Sequence, residues 1–402
     1  MSLSRFNIDH IDLNNIDEFL KKIELSKLKL KRFDDEVIEF LSEFSSKILL
    51  NNSLRKYPEL IVLANWFRKR NIFKIKEAHS NFIKHPLGTI FHVAPGNVDT
   101  IFIYSMFISL LNGNKNIVKI SHRESELINE IIHTIDEVLC NPAFDNLRGY
   151  ISIIRYENQE EITTKLSKIC NCRVLWGGDN TINQISRLPL NPRALEVKFS
   201  DRFSFSVINS DIISSLTDKE LEELSERFVN DLTFFNQEAC SSTKLIYWVG
   251  KKNKSVIEKW WDICRKKIGS DILVPPIQTD RFVNQNLIAA NLDVKVEHDP
   301  SIPVITLYSP NKNDLNFLRN NHFGNILCSQ IFLKNLDMIG DLLSEKDQTC
   351  SYYGFLEDDL VKVFWNRSSV DRVVPIGKSL DFNYIWDGYN LFEVFSRHIG
   401  KE

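Results

Sequence analysis

One thiol in this chain stands where covalent chemistry is possible. Phe235-Asn236-Gln237-Glu238-Ala239-Cys240-Ser241-Ser242 is a polar, small-residue loop between a helix-like stretch and the β-rich run KLIYWVG. Ala239, Ser241 and Ser242 leave little bulk around Cys240, so its sulfur can meet a carbonyl carbon. Thiolate is the reacting species, and such a site needs positive potential or backbone N–H donors to lower the thiol pKa. The plainer reading makes Cys240 one more small buried hydrophobe. Two turns also matter: Pro95-Gly96-Asn97 follows GTIFHVA, and Trp176-Gly177-Gly178-Asp179-Asn180 ends CRVLW. Each reads as an ordinary strand-terminating turn. Glycine is also the residue needed where a Cβ would collide with a ligand.

The elements that position these residues alternate. GTIFHVA predicts a strand and IFIYSMFISLL a buried helix; Asn116 to Ile120 predicts a second strand, and ESELINEIIHTIDEVL a helix with apolar residues at three- and four-residue spacing. GYISIIRY, EEITTKLSKI and CRVLWGG continue as strand, helix and strand, which predicts a doubly wound parallel sheet. FSVIN, KELEELSERFVNDLTFF and KLIYWVG open a second α/β region near Ser204. PVITLYSP and ILCSQIFLK read as strands, and LEDDLVKVFW as either a strand or a short helix. The first 80 residues, with Ile16, Phe19, Leu20 and Ile23 at helical spacing, read as a helical lead-in.

Composition narrows the function classes. With 50 basic and 53 acidic residues in 402, no global positive field attracts a polyphosphate backbone, which argues against nucleic acid as a main partner. The most apolar window, Ile101 to Leu111, is about half of what a bilayer requires, so no membrane span is expected. The start of the chain lacks the basic-then-apolar pattern of a secretory signal. Seven cysteines without CxxC spacing leave no disulfide framework or zinc knuckle to draw, so no metal is expected and a reducing cytoplasm fits best.

NQEACSS, HPLGTIFHVAPGNVD and the C-terminal DRVVPIGKSLDFNYIWDGYNLFEVFSR together resemble the acyl-CoA reductase family typified by the fatty-acid reductase of bacterial bioluminescence, a branch of the aldehyde dehydrogenase superfamily. The resemblance runs in pieces from about His85 to Arg397. It implies that Cys240 is the nucleophile and that the side-chain amide of Asn97 receives the oxyanion formed on attack. Val118-Lys119-Ile120-Ser121 resembles the segment whose lysine reaches the adenosine ribose of a nicotinamide cofactor. NAD-using members commonly carry an acidic residue three positions beyond that lysine, where this chain has His122, followed by Arg123. His and Arg can receive a 2'-phosphate that a carboxylate would repel, which leans toward NADPH, with NADH possible and Glu124 close by. Gly177 and Gly178 resemble the turn that lets the cofactor approach the backbone, although the chain has no GxGxxG. Leu195-Glu196-Val197-Lys198-Phe199-Ser200 falls on the superfamily's Leu-Glu-Leu-Gly-Gly-Lys, placing Glu196 on the glutamate that activates water or the thiol. Lys198 and Phe199 replace the two glycines, so Glu196 can equally be a strand residue paired with a neighbour such as Lys198.

These readings lead to an α/β protein of aldehyde-dehydrogenase-like fold, with a Rossmann-like cofactor domain and a second α/β catalytic domain. The expected divisions are a lead-in over 1–80 packed on the cofactor domain, that domain over 81–204, the catalytic domain over 205–378 and a return segment over 379–402. The resemblance implies NADPH-dependent reduction of an acyl thioester, a fatty acyl group on CoA or on a protein, to an aldehyde through an acyl-Cys240 intermediate. Oxidation of an aldehyde in the opposite direction, and a non-catalytic scaffold for an acyl-protein synthetase, are the alternatives. A homo-oligomer is expected from the superfamily. Ile101, Phe102, Tyr104, Phe107 and Phe203 could line an acyl tunnel or simply form core.

Overall fold

Runs of β-branched and aromatic residues become strands, and short polar turns separate them from amphipathic helices. The computed structural model describes residues 8–25, 29–79, 84–96, 98–157, 159–269, 274–365 and 370–400. The chain divides into two compact units, one taking in Met1–Asp201 with Phe382–Glu402 and the other Arg202–Asp381.

The first unit contains β1 (Asp9–His10), β2 (Lys84–Pro86), β3 (Thr89–Val93), β4 (Lys115–Lys119), β5 (Ile151–Arg155), β6 (Cys172–Trp176) and β7 (Leu195–Phe199). Six of these form a parallel sheet in the order β1-β5-β4-β3-β6-β7. The chain winds outward from β3 through β4 to β5, then returns to the other flank of β3 as β6 and β7. The switch point therefore lies between β3 and β6, where ligands of open α/β sheets bind beyond the carboxyl ends of the strands. The N-terminal segment supplies helices Ile16–Leu25, Asp35–Leu50, Pro58–Trp66 and Lys69–Ala78, and also the edge strand β1, which its helical spacing did not announce.

All eleven residues of the helix Ile101–Leu111 are buried. Phe107 packs edge-on against Phe40, Phe44 and Phe67, so it belongs to the core between this helix and the N-terminal ones rather than to an acyl channel. Tyr104 donates its hydroxyl hydrogen to the carbonyl of Asn383, and its ring lies 5.3 Å from that of Phe382 and 5.7 Å from that of Trp386.

The second unit holds β8 (Phe203–Asn209), β9 (Thr243–Val249), β10 (Val294–Glu297), β11 (Val304–Leu307), β12 (Cys328–Leu333), β13 (Asp347–Tyr353) and β14 (Arg372–Pro375), in the order β10-β11-β12-β9-β8-β13-β14. Only β10 is antiparallel. Both faces are covered, and the strand period of two assigns the residues to them. Leu245, Tyr247 and Val249 enter one core while Ile246 and Trp248 enter the other, with Trp260, Trp261 and Phe228. LEDDLVKVFW resolves as the helix Glu357–Phe364, burying Leu360 and Phe364 four residues apart. After this unit the chain forms the hairpin β15 (Ile385–Trp386) and β16 (Tyr389–Asn390), and then β17 (Ser396–His398), which pairs with β2.

Candidate active site

Cys240 lies at the amino end of β9, three residues before the strand begins. The helix Asp218–Thr233 leads to it, started by a capping box between Thr217 and Glu220. The chain then turns through Phe235, Asn236 and Gln237, all with positive φ (56°, 51° and 64°). A facing segment does the same, with Gly324, Asn325 and Ile326 at 87°, 62° and 59°. A β-branched residue in this region is an outlier that its surroundings must enforce. The enforcement is visible. Buried Gln237 donates from Nε2 to the carbonyls of Thr243 and Leu327, both at 2.7 Å, and its Oε1 accepts from Leu327 N at 2.9 Å. Asn325 N donates to Asn236 O at 2.9 Å. A Cβ at Gly324 would stand 2.7 Å from Gln237 O, so the two segments interlock where only glycine fits.

Among the seven cysteines only Cys240 is half-buried; Cys140 is exposed and the other five are buried. Burial pushes the thiols of Cys170 and Cys264 up to about 12 and raises those of Cys172, Cys328 and Cys350 further, which keeps all five protonated. Around Cys240 the backbone is gripped on both sides. Ser204 Oγ donates to Cys240 O at 2.6 Å, and Lys244 Nζ donates to Ala239 O at 3.2 Å. Ala239 O also accepts from Ser242 N at 3.1 Å, closing a turn with Cys240 inside it. Below lies a hydroxyl cluster in which Ser206 Oγ is 2.9 Å from Thr243 Oγ1 and 2.6 Å from Ser351 Oγ. His322 is buried, and burial, then the charge of Lys244, lowers its pKa to about 3, so it stays neutral at physiological pH. Gln237, Lys244, Ser204 and His322 were not singled out from the sequence. The first two stand within five residues of Cys240, but nothing local marks the other two.

In the first unit, the residues expected at a cofactor lie at the carboxyl ends of β4 and β6, the two strands that flank β3. Asn97 lies outside the described residues. Its neighbour Gly96 faces Ser121, whose Oγ would be 3.4 Å from a Cβ at Gly96. Arg123 N donates to Ser121 Oγ at 3.2 Å, and exposed Arg123 reaches Gly96 O at 3.5 Å. His122 turns away, its Nε2 against Tyr156 O. Lys119 ends β4 with Nζ 5.0 Å from the Tyr156 ring centroid, and burial lowers its pKa. Gly177 N donates to Phe199 O at 3.2 Å, and Gly178 caps the helix Asp179–Ser186. A Cβ at Gly178 would meet nothing within 4 Å, and one at Gly177 only Thr181 at ordinary contact distance. Neither φ is positive. Backbone and packing thus make no demand for these two glycines, and the surface they leave bare suits a ligand lying against the main chain, as a dinucleotide does at a switch point.

Glu196 has an occupation of its own. It sits on β7 directly opposite Arg173 of β6. Arg173 Nε donates to Glu196 Oε2 at 2.6 Å, its Nη2 also contacts that oxygen, and Lys198 Nζ is 3.0 Å from Oε1. Partial burial would raise the carboxyl pKa, but the hydrogen bonds from Arg173 and Lys198 outweigh it and hold the value below the usual range. A carboxylate so held is a poor proton acceptor, and of the two occupations open to Glu196 in the sequence the structure displays the ion pair. Among the described residues no cluster of three or more His, Cys, Asp or Glu could hold a metal, and no helix is long and apolar enough to cross a membrane.

Comparisons with known proteins bear on this geometry. Residues 12–268 match the family described as Acyl-CoA reductase (LuxC). The long-chain acyl-protein thioester reductase of Photorhabdus luminescens is 26% identical over 170 residues, covering 41% of this chain and 32% of that protein. That of Aliivibrio fischeri is 24% identical over 167 residues, 41% of this chain and 33% of the relative. The chain thus aligns with about a third of the length of these curated relatives. In fold it is similar to an NAD-dependent aldehyde dehydrogenase from Sinorhizobium meliloti, with a TM-score of 0.70 and 10% identity over 95% of this chain and 86% of that one. A salicylaldehyde dehydrogenase from Pseudomonas putida G7 gives a TM-score of 0.68 and 12% identity over 95% and 89% of the two chains. Parallel sheets of this topology are those of an aldehyde-dehydrogenase-like α/β fold, and with a family match over more than half its length this chain belongs to the acyl-CoA reductase (LuxC) family.

Proposed function

We propose that the chain reduces an acyl thioester to an aldehyde, with Cys240 carrying the acyl group between two half-reactions. The observation that carries this reading is the family match over residues 12–268, which takes in Cys240 together with the segments around Gly96, Lys119 and Gly177. The Cys240 thiolate attacks the thioester carbonyl. An oxyanion forms, held by the backbone N–H of Cys240 and the side-chain amide of Asn97. It collapses with cleavage of the donor's carbon–sulfur bond, and the donor thiolate leaves and takes up a proton.

Lys119, Ser121, His122, Arg123, Gly177 and Gly178 are the residues that would hold a nicotinamide dinucleotide, which when bound supplies the hydride that reduces the acyl group. The hemithioacetal oxyanion left on Cys240 then collapses, expelling the aldehyde and regenerating the thiolate. NADPH is the preferred form in this reading, because exposed Arg123 can receive a 2'-phosphate. Since His122 is engaged with Tyr156 O, Arg123 carries most of that preference.

The state of Glu196 supports the reductive direction over oxidation of an aldehyde to an acid. Hydrolysis of an acyl-enzyme needs a base that activates water, and a carboxylate tied to Arg173 and Lys198 is a weak one. An acyl group on Cys240 then survives long enough to be reduced. Acyl donors in this reading are long-chain acyl groups on CoA or on a protein, the latter loaded by a synthetase partner. Assembly as a homo-oligomer and residence in the cytoplasm complete it.

Incubation with a panel of acyl-CoAs and acyl-protein donors without cofactor, followed by digestion and mass spectrometry, tests the proposal. The expected result is an acyl adduct on the peptide containing Cys240 that disappears on adding NADPH, with release of aldehyde. No adduct there with any donor would refute covalent catalysis.

A further inference from the structure

Lys244 sits at an irregularity in the sheet. Ser204 of β8 pairs with Thr243 of β9 and Phe205 with Leu245, so Lys244 is the extra residue on β9. Such a bulge re-aims a side chain. Here a buried lysine turns back to donate to Ala239 O, the carbonyl immediately before Cys240. A trans peptide directs its C=O and N–H in opposite directions, so fixing Ala239 O also fixes the direction of the Cys240 N–H in the same plane. Ser204 Oγ fixes the following plane through Cys240 O and itself accepts from Thr349 N at 3.2 Å. Three neighbouring strands thus determine both peptide planes that flank the cysteine.

We infer that Lys244 is a positioning residue for acyl transfer, which aims and polarises the Cys240 N–H as an oxyanion donor. A charge-assisted hydrogen bond to the carbonyl withdraws electron density from the peptide and makes its N–H a stronger donor. The Ser242 N–H that shares Ala239 O is neutral and polarises the peptide less than a charged donor does. The inference rests on Cys240 being the acyl acceptor.

Two reactions at one sulfur test it. Acetylation of Cys240 by p-nitrophenyl acetate forms a carbon–sulfur bond through an oxyanion and releases p-nitrophenolate. Alkylation by iodoacetamide displaces iodide from a saturated carbon and forms no oxyanion. In Lys244→Met, acetylation measured by stopped-flow release of nitrophenolate should slow by about tenfold or more, while alkylation stays within about twofold of wild type. Lys244→Arg, which keeps the charge, should recover most of the acetylation rate. Ser204→Ala, which loosens only the following plane, should show the same selectivity to a smaller degree and serves if Lys244→Met does not fold. Unchanged acetylation in the folded variants, or acetylation and alkylation falling by the same factor, overturns the inference and leaves Cys240 as acyl acceptor. Wild-type protein that alkylates at Cys240 but never acetylates there overturns the acyl-transfer reading along with it.

Discussion

Arg173 and Glu196 face each other across neighbouring parallel strands, the arginine side chain 1% and the glutamate 17% exposed. Arg173 Nη1 also donates to Ser167 Oγ at 2.9 Å and to Leu188 O at 3.3 Å, so the pair ties β6 and β7 to the helix Glu160–Ile169 and to the segment after the helix Asp179–Ser186. Removing one partner of a buried pair leaves the other charge uncompensated. Glu196→Gln should therefore destabilise the protein by roughly 3 kcal/mol in urea unfolding, with turnover per folded molecule nearly preserved. The sign with pH follows from the lowered carboxyl pKa. The advantage of wild type over the variant is full above the ordinary value of 4.5 and disappears as pH falls through the lower folded-state value. Turnover lost while stability is kept would return Glu196 to the chemistry.

The cofactor preference is a separate test. Arg123 Nη1 reaches Gly96 O only at 3.5 Å, which leaves the exposed guanidinium able to take a phosphate. Arg123→Glu removes the cation and adds repulsion, so NADPH affinity should fall by at least about tenfold, the equivalent of one charge-assisted hydrogen bond. NADH binding should change little. Titrating each dinucleotide against intrinsic tryptophan fluorescence measures both, and equal losses would show that Arg123 does not select.

Much of the fold was legible because its strands are short β-branched runs between polar turns, as at Thr89–Val93 and Thr243–Val249. β13 was not, since DQTCSYY is mostly polar and has no apolar run to mark a strand. Its polar side chains are buried against partners distant in sequence: Arg319 Nε and Nη2 donate to Asp347 at 2.8 and 2.7 Å, and Ser351 Oγ is 2.6 Å from Ser206 Oγ. β1 is two residues long and too short to carry a period. The site divides in the same way. Cys240 declared itself through the small residues beside it, but Ser204, which holds its carbonyl, lies 36 residues earlier in a strand. Polar Gln237 reads as an exposed loop residue, yet it is buried with its amide fully used.

The C-terminal pattern around Pro375-Ile376-Gly377 acquires a role through Asp231, which lies in the helix leading to the nucleophile loop. Its carboxylate accepts from Gly377 N at 2.7 Å and Ser379 N at 3.2 Å. Burial nonetheless dominates and raises its pKa to about 6. A carboxyl whose pKa is raised on folding stabilises most below its unfolded value and loses that contribution as pH rises through the folded one. Relative to Asp231→Asn, which does not titrate, wild type should lose stability between about pH 4 and 6, by up to roughly 3 kcal/mol for a shift of that size. Urea midpoints of both proteins across that range decide it, and a flat difference would mean that Asp231 ionises normally.

Interlocking of the two left-handed segments predicts a loss that reaches the chemistry. At Gly324, φ is 87° and an added Cβ would stand 2.7 Å from the backbone oxygen of Gln237, which cannot move without shifting the loop that carries Cys240. Gly324→Ala should cost roughly 2 kcal/mol of stability and lower turnover well beyond the fraction unfolded. Gly354 is the matched control. Its φ is 77° and an added Cβ would lie 2.8 Å from Asn209 Cβ, at the carboxyl end of β8 and thus at the opposite end of the sheet from Cys240. Gly354→Ala should therefore lose comparable stability while each folded molecule keeps its rate. Turnover divided by the folded fraction, measured side by side, separates the two. If both variants keep wild-type turnover per folded molecule, the strained pair of segments is scaffolding that stops short of the nucleophile.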